Sequence, residues 1–247
     1  MMLSFVPLGV GDAFSARWYS TSFLLEAEGG RLLVDCPHPL RKMLTESDAG
    51  VDVDQLDGVL LTHLHADHCS GLEPLAFFFH FVLGRRLPVW AHPTVLGRLW
   101  ERLAPGMDRL LAPDGGVRRL GFEDFFEAHP LRLDGAVEAA GFRVEARMTR
   151  HHVPTTALRV QADGVRWGYS ADTDFDPGLI DWLAPADLIV HETNLGVHTP
   201  YERLASLPAD LRARMRLVHF TDFFAPTDSA IEPLTQGRRY AIQRRSP

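Results

Sequence analysis

The sequence predicts an α/β protein made of two β-sheets packed face to face with helices outside. In each half of the chain, stretches patterned as strands are followed by stretches patterned as helices, the order a layered sandwich requires. At Asp57–Gly71, read DGVLLTHLHADHCSG, a short apolar run turns at once into a polar cluster. Open α/β sheets place their sites in this way, beyond the C-terminal ends of buried strands. Of the 247 residues, 46% are hydrophobic and 23% charged, with no low-complexity segment, charge block or Ser/Gly linker. A single domain over 1–247 is expected.

Residues 2–8 and 20–27 alternate or run apolar around the turn formers Gly9, Gly11 and Asp12, and read as a first pair of strands. RLLVDCPHP reads as a third strand ending at Asp35, and Pro39 to Ser47 as a helix. Val59-Leu60-Leu61 is a short buried strand. Gly71 to Leu83, which holds Phe77, Phe78, Phe79 and Phe81, is too short to span a bilayer. It reads as a core helix, or as an aromatic face that lines a cleft or meets a second copy of the chain. LPVWAHP gives the next strand and PTVLGRLWERL its helix, with His92 between them either facing the site or satisfied locally. Residues 105–135, rich in Gly, Pro and Asp, read as irregular with short elements.

From Gly141 the chain turns β-rich through FRVEARMT, TTALRVQA and VRWGYSA, and Asp163-Gly164 predicts a hairpin turn between the last two. A helix near 176–183, the strand DLIVHET, a helix over 200–206 and the strand MRLVHF follow. Thr199-Pro200-x-Glu202 has the order of a capping box with Thr199 at the cap.

The polar cluster is spaced H-x-H-x-D-H at His63, His65, Asp67 and His68. A packed core has no use for such side chains, because each needs its own hydrogen-bond partner away from water. A divalent cation gives all of them one. Imidazole nitrogen and carboxylate oxygen suit zinc, and no close Cys pair indicates a closed structural site. One loop cannot fill two metal sites, so further His or Asp residues are expected at strand ends. TRHHVP, YSADTD and LVHFTD supply them in order.

These motifs resemble the metallo-β-lactamase superfamily, whose mark is the H-x-H-x-D-H loop, and within it the ribonuclease Z and small-phosphodiesterase branch. The resemblance runs from PLGVGDAF to LVHFTDF and implies a four-layer αββα sandwich with metals at one edge between the sheets. It implies that His63, His65 and His151 hold one metal, that Asp67, His68 and His219 hold the other, and that Asp172 bridges both. His151 is preferred to His152 because the family pattern H-x-x-P, a hydroxyl residue and a later Arg matches His151, Pro154, Thr155 and Arg159. Ala171 departs from the usual Gly before the bridging Asp, which is tolerable unless the turn needs a positive φ. Asp12 and Asp35 resemble positions that brace the metal loop, and are otherwise turn residues. His65 stands where flavodiiron relatives have Glu, so redox chemistry is disfavoured. Two Zn2+ ions are expected, with Mn2+ or Fe as alternatives.

The resemblance implies a dinuclear hydrolase whose metal-bridging hydroxide attacks a phosphodiester. Asp67 would accept a proton from the attacking water. His191 and Glu192, in a segment similar to the H-E-A-T motif of ribonuclease Z, would protonate the leaving oxygen, unless they are a structural pair between the sheets. Thioester, lactone or β-lactam hydrolysis at the same ions is the alternative, and a non-catalytic regulatory metal protein a third reading. No Gly-Pro-rich basic arm like the transfer-RNA exosite of ribonuclease Z is present. Together with a net charge of −7, this argues against an extended nucleic-acid groove and for a small phosphodiester such as a cyclic nucleotide or short oligonucleotide. Arg118-Arg119 and Arg238-Arg239 are candidate phosphate receivers or solvated surface. Cys36 and Cys69 are the only cysteines, and the N-terminus lacks the pattern of a signal peptide, so a cytoplasmic protein without a membrane partner is expected.

Overall fold

The computed structural model describes residues 3–224 and 229–245, so Met2, expected to begin the first strand, lies outside them. In chain order the elements begin with β1 (Ser4–Gly9), β2 (Ser22–Ala27), β3 (Gly30–Val34), α1 (Leu40–Thr45), β4 (Gly58–Leu60), α2 (Ala66–Cys69), α3 (Leu72–Phe81), β5 (Leu87–Ala91) and α4 (Pro93–Met107). They continue with β6 (Arg109–Leu111), β7 (Val117–Arg119), α5 (Phe122–Phe125), β8 (Phe126–Pro130), β9 (Val137–Ala139), β10 (Phe142–Met148), β11 (Thr156–Ala162) and β12 (Val165–Tyr169). The last are α6 (Pro177–Leu183), β13 (Leu188–Glu192), α7 (Tyr201–Ala205), α8 (Ala209–Ala213), β14 (Met215–Val218), β15 (Glu232–Pro233) and β16 (Tyr240–Ala241).

Among the described residues, these strands form two seven-stranded sheets, ordered β16-β1-β2-β3-β4-β5-β8 and β15-β14-β13-β12-β11-β10-β9, and a separate antiparallel pair, β6-β7. In the first sheet β1, β2 and β3 run antiparallel and β3, β4, β5 and β8 parallel. In the second, β9 to β12 run antiparallel and β12 to β15 parallel. Alternate side chains of the first sheet go to different layers. Phe5, Phe23, Leu32 and Leu60 join the core shared with the second sheet, while Val6, Leu24, Leu33 and Val59 join the core under α1, α3 and α4. Burial of both faces is why these strands read as continuous apolar runs, and it makes the layers αββα. Among the described residues no helix is long and apolar enough to cross a membrane.

The predicted hairpin turn has φ of 51° at Asp163 and 75° at Gly164, the doubly positive pair that matches the twist of its strands. The aromatic helix α3 buries Leu72, Leu75, Ala76 and Phe79 and leaves Phe81 59% exposed, so it is a core helix with one aromatic edge in solvent. Of three expectations that bear on these elements, the short elements within 105–135 and a locally satisfied His92 are found, and the capping box is corrected. β8 lies in the stretch read as irregular with short elements; it is an edge strand exposed along most of its length, so it carries no apolar alternation. His92 is the N-cap of α4 and accepts from the Thr94 amide. Thr199 does not cap α7, whose N-cap is Pro200, because its hydroxyl donates instead to the Thr173 carbonyl at 2.9 Å.

The metal loop is locked to the end of β3. The Cys36 amide donates to the His68 carbonyl at 2.7 Å, and the Gly71 amide donates to the Cys36 carbonyl at 2.8 Å. A Cβ on Gly71 would sit 2.5 Å from the Pro37 carbonyl oxygen. Gly71→Ala is therefore expected to cost about 2 kcal/mol through overpacking, read as a lower urea midpoint at an unchanged slope. An unchanged midpoint would mean that the loop is not held at this point.

Candidate metal centre

Loops leaving the C-terminal ends of β4, β10, β12 and β14 converge at one edge of the sandwich. His63, His65, His151 and Asp172 form one group and Asp67, His68 and His219 a second, each with its ligand atoms within 4.8 Å of one another. The Asp172 carboxylate lies between them, 3.6 and 3.8 Å from His63 Nε2 and His151 Nε2, and 3.4 and 3.5 Å from His68 Nε2 and His219 Nε2.

The far nitrogens of three histidines are held from behind. The Thr62 hydroxyl donates to Asp35 Oδ2 at 2.8 Å, so its oxygen accepts from His63 Nδ1 at 2.9 Å and leaves Nε2 facing the site. The Thr21 hydroxyl donates to the Gly11 carbonyl and accepts from His219 Nδ1 at 3.2 Å. His68 Nδ1 donates to Asp35 Oδ2 at 2.8 Å. Such outer partners fix ring orientation and raise ligand basicity. Asp35 thus serves both halves of the loop, and Asp35→Asn is expected to weaken metal affinity about 10–100-fold, measured by competition with a chelator. Unchanged affinity would reduce Asp35 to a packing role.

The residues fit divalent metal binding. His65 Nδ1 lies 3.1 Å from His63 Nε2 and 3.3 Å from His151 Nε2, three imidazole nitrogens converging on one point. His68 Nε2 and Asp172 Oδ1 are buried without hydrogen-bond partners. Burial, reinforced by neighbouring imidazoles, pushes the His63 pKa well down, and burial lowers His151 to about 4, so both favour the neutral form that binds metal. Burial would also lower His68, but the Asp172 and Asp35 carboxylates outweigh it and hold its pKa high. Burial works to raise Asp67 and Asp172, yet the surrounding imidazoles keep both carboxyls below their usual range. Three residues at this edge adopt left-handed backbone, with φ of 56° at Asp35, 49° at Ala171 and 58° at His219. The turn before Asp172 does require a positive φ, so Ala171 carries strain of about 1–2 kcal/mol where glycine would carry none.

A further histidine joins the cluster. His198 lies with Asp172 and His219 in a third group of ligand atoms within 4.8 Å. Its Nδ1 is 2.8 Å from Glu192 Oε1, which also accepts from the Thr173 amide at 2.6 Å. Burial raises the Glu192 pKa to about 8. For His198, burial acts downward but the Glu192 hydrogen bond and charge raise the pKa above its ordinary value. The pair lies beside the Asp172 carboxylate.

The family model described as anti-Pycsar protein Apyc1 matches residues 3–240 of the chain. The chain belongs to the Apyc1 family. The anti-Pycsar protein Apyc1 of Bacillus phage 010DV004 is 33% identical over 255 residues, covering 95% of this chain and 96% of that one. Its counterpart from Saccharibacillus brassicae is 32% identical over 249 residues, covering 95% and 98%. Among solved structures, the metallo-β-lactamase fold protein YhfI from Bacillus subtilis superposes with a TM-score of 0.77 at 19% identity, covering 97% of this chain and 99% of that one. The short form of human tRNase Z gives 0.70 at 19%, covering 98% and 100%. The fold is therefore that of the metallo-β-lactamase proteins. Sequence kinship lies with Apyc1, and the likeness to ribonuclease Z is one of fold.

In this Apyc1-family chain the structure brings together His63, His65, Asp67, His68, His151, Asp172 and His219. His152 stays at the exposed rim, its ring 4.7 Å from that of His65. Asp12 braces the site indirectly, accepting from Asn194 Nδ2, which also donates to the His219 carbonyl, each at 3.0 Å. His191 is not brought in. Successive side chains of a strand point to opposite faces, so His191 and Glu192 of β13 cannot both face the cluster. Glu192 does; His191 is 1% exposed, with Nδ1 donating to the Glu192 carbonyl at 2.7 Å and burial lowering its pKa to about 4. The arginine pairs act elsewhere: Arg239 binds Glu26 and the Asp48 and Ala49 carbonyls, Arg238 lies over Tyr240, and Arg118 and Arg119 are exposed on β7. His198 sits in the loop after β13, where no periodicity marks it; the strand alternation that disqualifies His191 was the available signal.

Proposed function

We propose that the protein is a dinuclear metal-dependent phosphodiesterase whose substrate is a small phosphodiester, in particular a cyclic nucleotide. The observation that supports this best is Asp172, one carboxylate within 3.8 Å of imidazole nitrogens from both ligand groups. His63, His65 and His151 would hold one cation, Asp67, His68 and His219 the other, and Asp172 both. Bound there, two divalent ions would make water nucleophilic near neutral pH and would neutralise charge on the oxygens of an in-line displacement. Zinc suits the imidazole and carboxylate donors, with manganese or iron as substitutes.

The chain's own residues supply the proton transfers. Asp67, 10% exposed and kept ionised by His68 and His219, is placed to take a proton from the attacking water. His198, with 18% of its side chain exposed, is placed to donate a proton to the leaving oxygen, and Glu192 orients it and favours its charged form. Glu192 is therefore a positioning residue. The name anti-Pycsar carried by the relatives suggests action on a cyclic nucleotide.

The test is hydrolysis by metal-loaded protein of a chromogenic phosphodiester and of 3′,5′-cyclic nucleotides, beside a chromogenic thioester, lactone and cephalosporin. Phosphodiester turnover that vanishes in His65→Ala is expected. Turnover of carbonyl substrates alone would overturn the reading in favour of ester hydrolysis.

A further inference from the structure

His65 has a second neighbourhood that metal binding does not use. It forms part of the wall of a cavity of about 520 Å3, within the range of small-molecule sites. Leu64, Val153 and Pro154 make other parts of the wall apolar. Helix α4 lines the opposite side with Thr94, Arg98, Glu101 and Arg102, whose spacing places them along one helical face. Arg102 is tethered there, its Nε donating to Cys69 Sγ at 3.0 Å beside the ligand His68. Arg98 Nε lies 3.5 Å from Glu101 Oε2, so the stripe presents both donors and an acceptor.

A diester held at the metals beside His65 would project one arm into this cavity, and the walls restrict what that arm carries. A second phosphate would meet Arg98 and Arg102, but with the Glu101 carboxylate between them in the same stripe. An alkyl chain would make no use of the polar stripe. A flat heterocycle with donors and acceptors on its edge satisfies both kinds of wall.

We infer that this cavity is a nucleobase subsite, in which Arg102 and Glu101 read the base edge while Leu64 and Pro154 cover its faces; the inference rests on the phosphodiesterase reading. Arg102 and Glu101 are then specificity-determining residues with no part in the proton transfers. Their loss raises KM for a cyclic nucleotide and spares kcat.

The experiment compares metal-loaded wild type, Glu101→Gln, Arg102→Met and Thr94→Trp on the 3′,5′-cyclic phosphates of the four common nucleosides and of 1-deoxyribose, which has the same cyclic diester and no base. Thr94→Trp fills the cavity from an exposed position and covers the case in which Arg102→Met disturbs Cys69. The wild type is expected to prefer at least one nucleotide over the abasic diester, and the ratio of kcat/KM values is expected to fall about tenfold or more in each variant, through KM. No preference in the wild type, or a preserved ratio in the variants, overturns the subsite. Absence of turnover on every diester sinks the phosphodiesterase reading instead. Calorimetric titration with the nucleotides then decides the subsite separately: binding lost in Thr94→Trp supports it, while equal binding, or none to wild type, overturns it.

Discussion

Asp172→Asn is expected to lose at least one of two bound cations and to lower phosphodiester hydrolysis on the order of 10³-fold. Asparagine has nearly the same shape, so the change isolates charge. The carboxylate is 2% exposed and sits between His63 and His151 on one side and His68 and His219 on the other. A neutral amide there would remove the one negative charge that faces imidazoles of both ligand groups. The same logic gives a stability readout that needs no substrate. Cations bound about 1,000-fold above their dissociation constant stabilise the folded state by about 4 kcal/mol. For a chain of this size that corresponds to roughly 10 °C in Tm between metal-loaded and chelator-treated wild type. In Asp172→Asn the gap is expected to shrink by about half or more on the same basis. Two equivalents of metal by elemental analysis, with activity within a few-fold of wild type, would show that Asp172 does not bridge.

His198→Ala is expected to reduce kcat about 10²–10⁴-fold, the usual contribution of a positioned general acid, while both metals remain bound. His198 reaches the cluster from a loop, and Glu192 Oε1 holds its Nδ1 at 2.8 Å. The pH profile adds a second readout. The acid must be protonated to act, so the rate falls as pH rises through its pKa. Glu192 is what raises that pKa, and Glu192→Gln is expected to move the alkaline limb to lower pH. His191→Ala is the control with the opposite signature. Its side chain is buried away from the cluster, so kcat is retained while stability drops by about 2 kcal/mol from the hole left in the fold. A collapse of kcat in His191→Ala with His198→Ala unaffected would reverse the two roles.

The contrast between these two histidines shows where reading the chain stops. In HET, a local motif offered His191 and Glu192 as neighbours in sequence, but pleating sends them to opposite faces. Only the path of residues 193–199 back over β13 brings His198 to Glu192. That path depends on tertiary bonds such as the Thr193 and Thr199 hydroxyls donating to the Thr199 and Thr173 carbonyls. The same bond removes Thr199 from the capping role its spacing predicted.

By itself the sequence determined the layered α/β class, because apolar runs and turn residues are local properties that survive in any context. It also marked seven of the side chains that gather at the cluster, four through the loop spacing and three through the resemblance. His63, His65, Asp67 and His68 have no inexpensive place in a core, and His151, Asp172 and His219 follow strands whose ends share one edge. Tertiary structure decided the rest. It gave edge strand β8 its partner in β5 and required left-handed backbone at Ala171. It also joined helix α4 to His65 across a shared cavity. Each of these depends on which distant segments meet, and contacts between distant segments leave no periodicity in the chain that makes them.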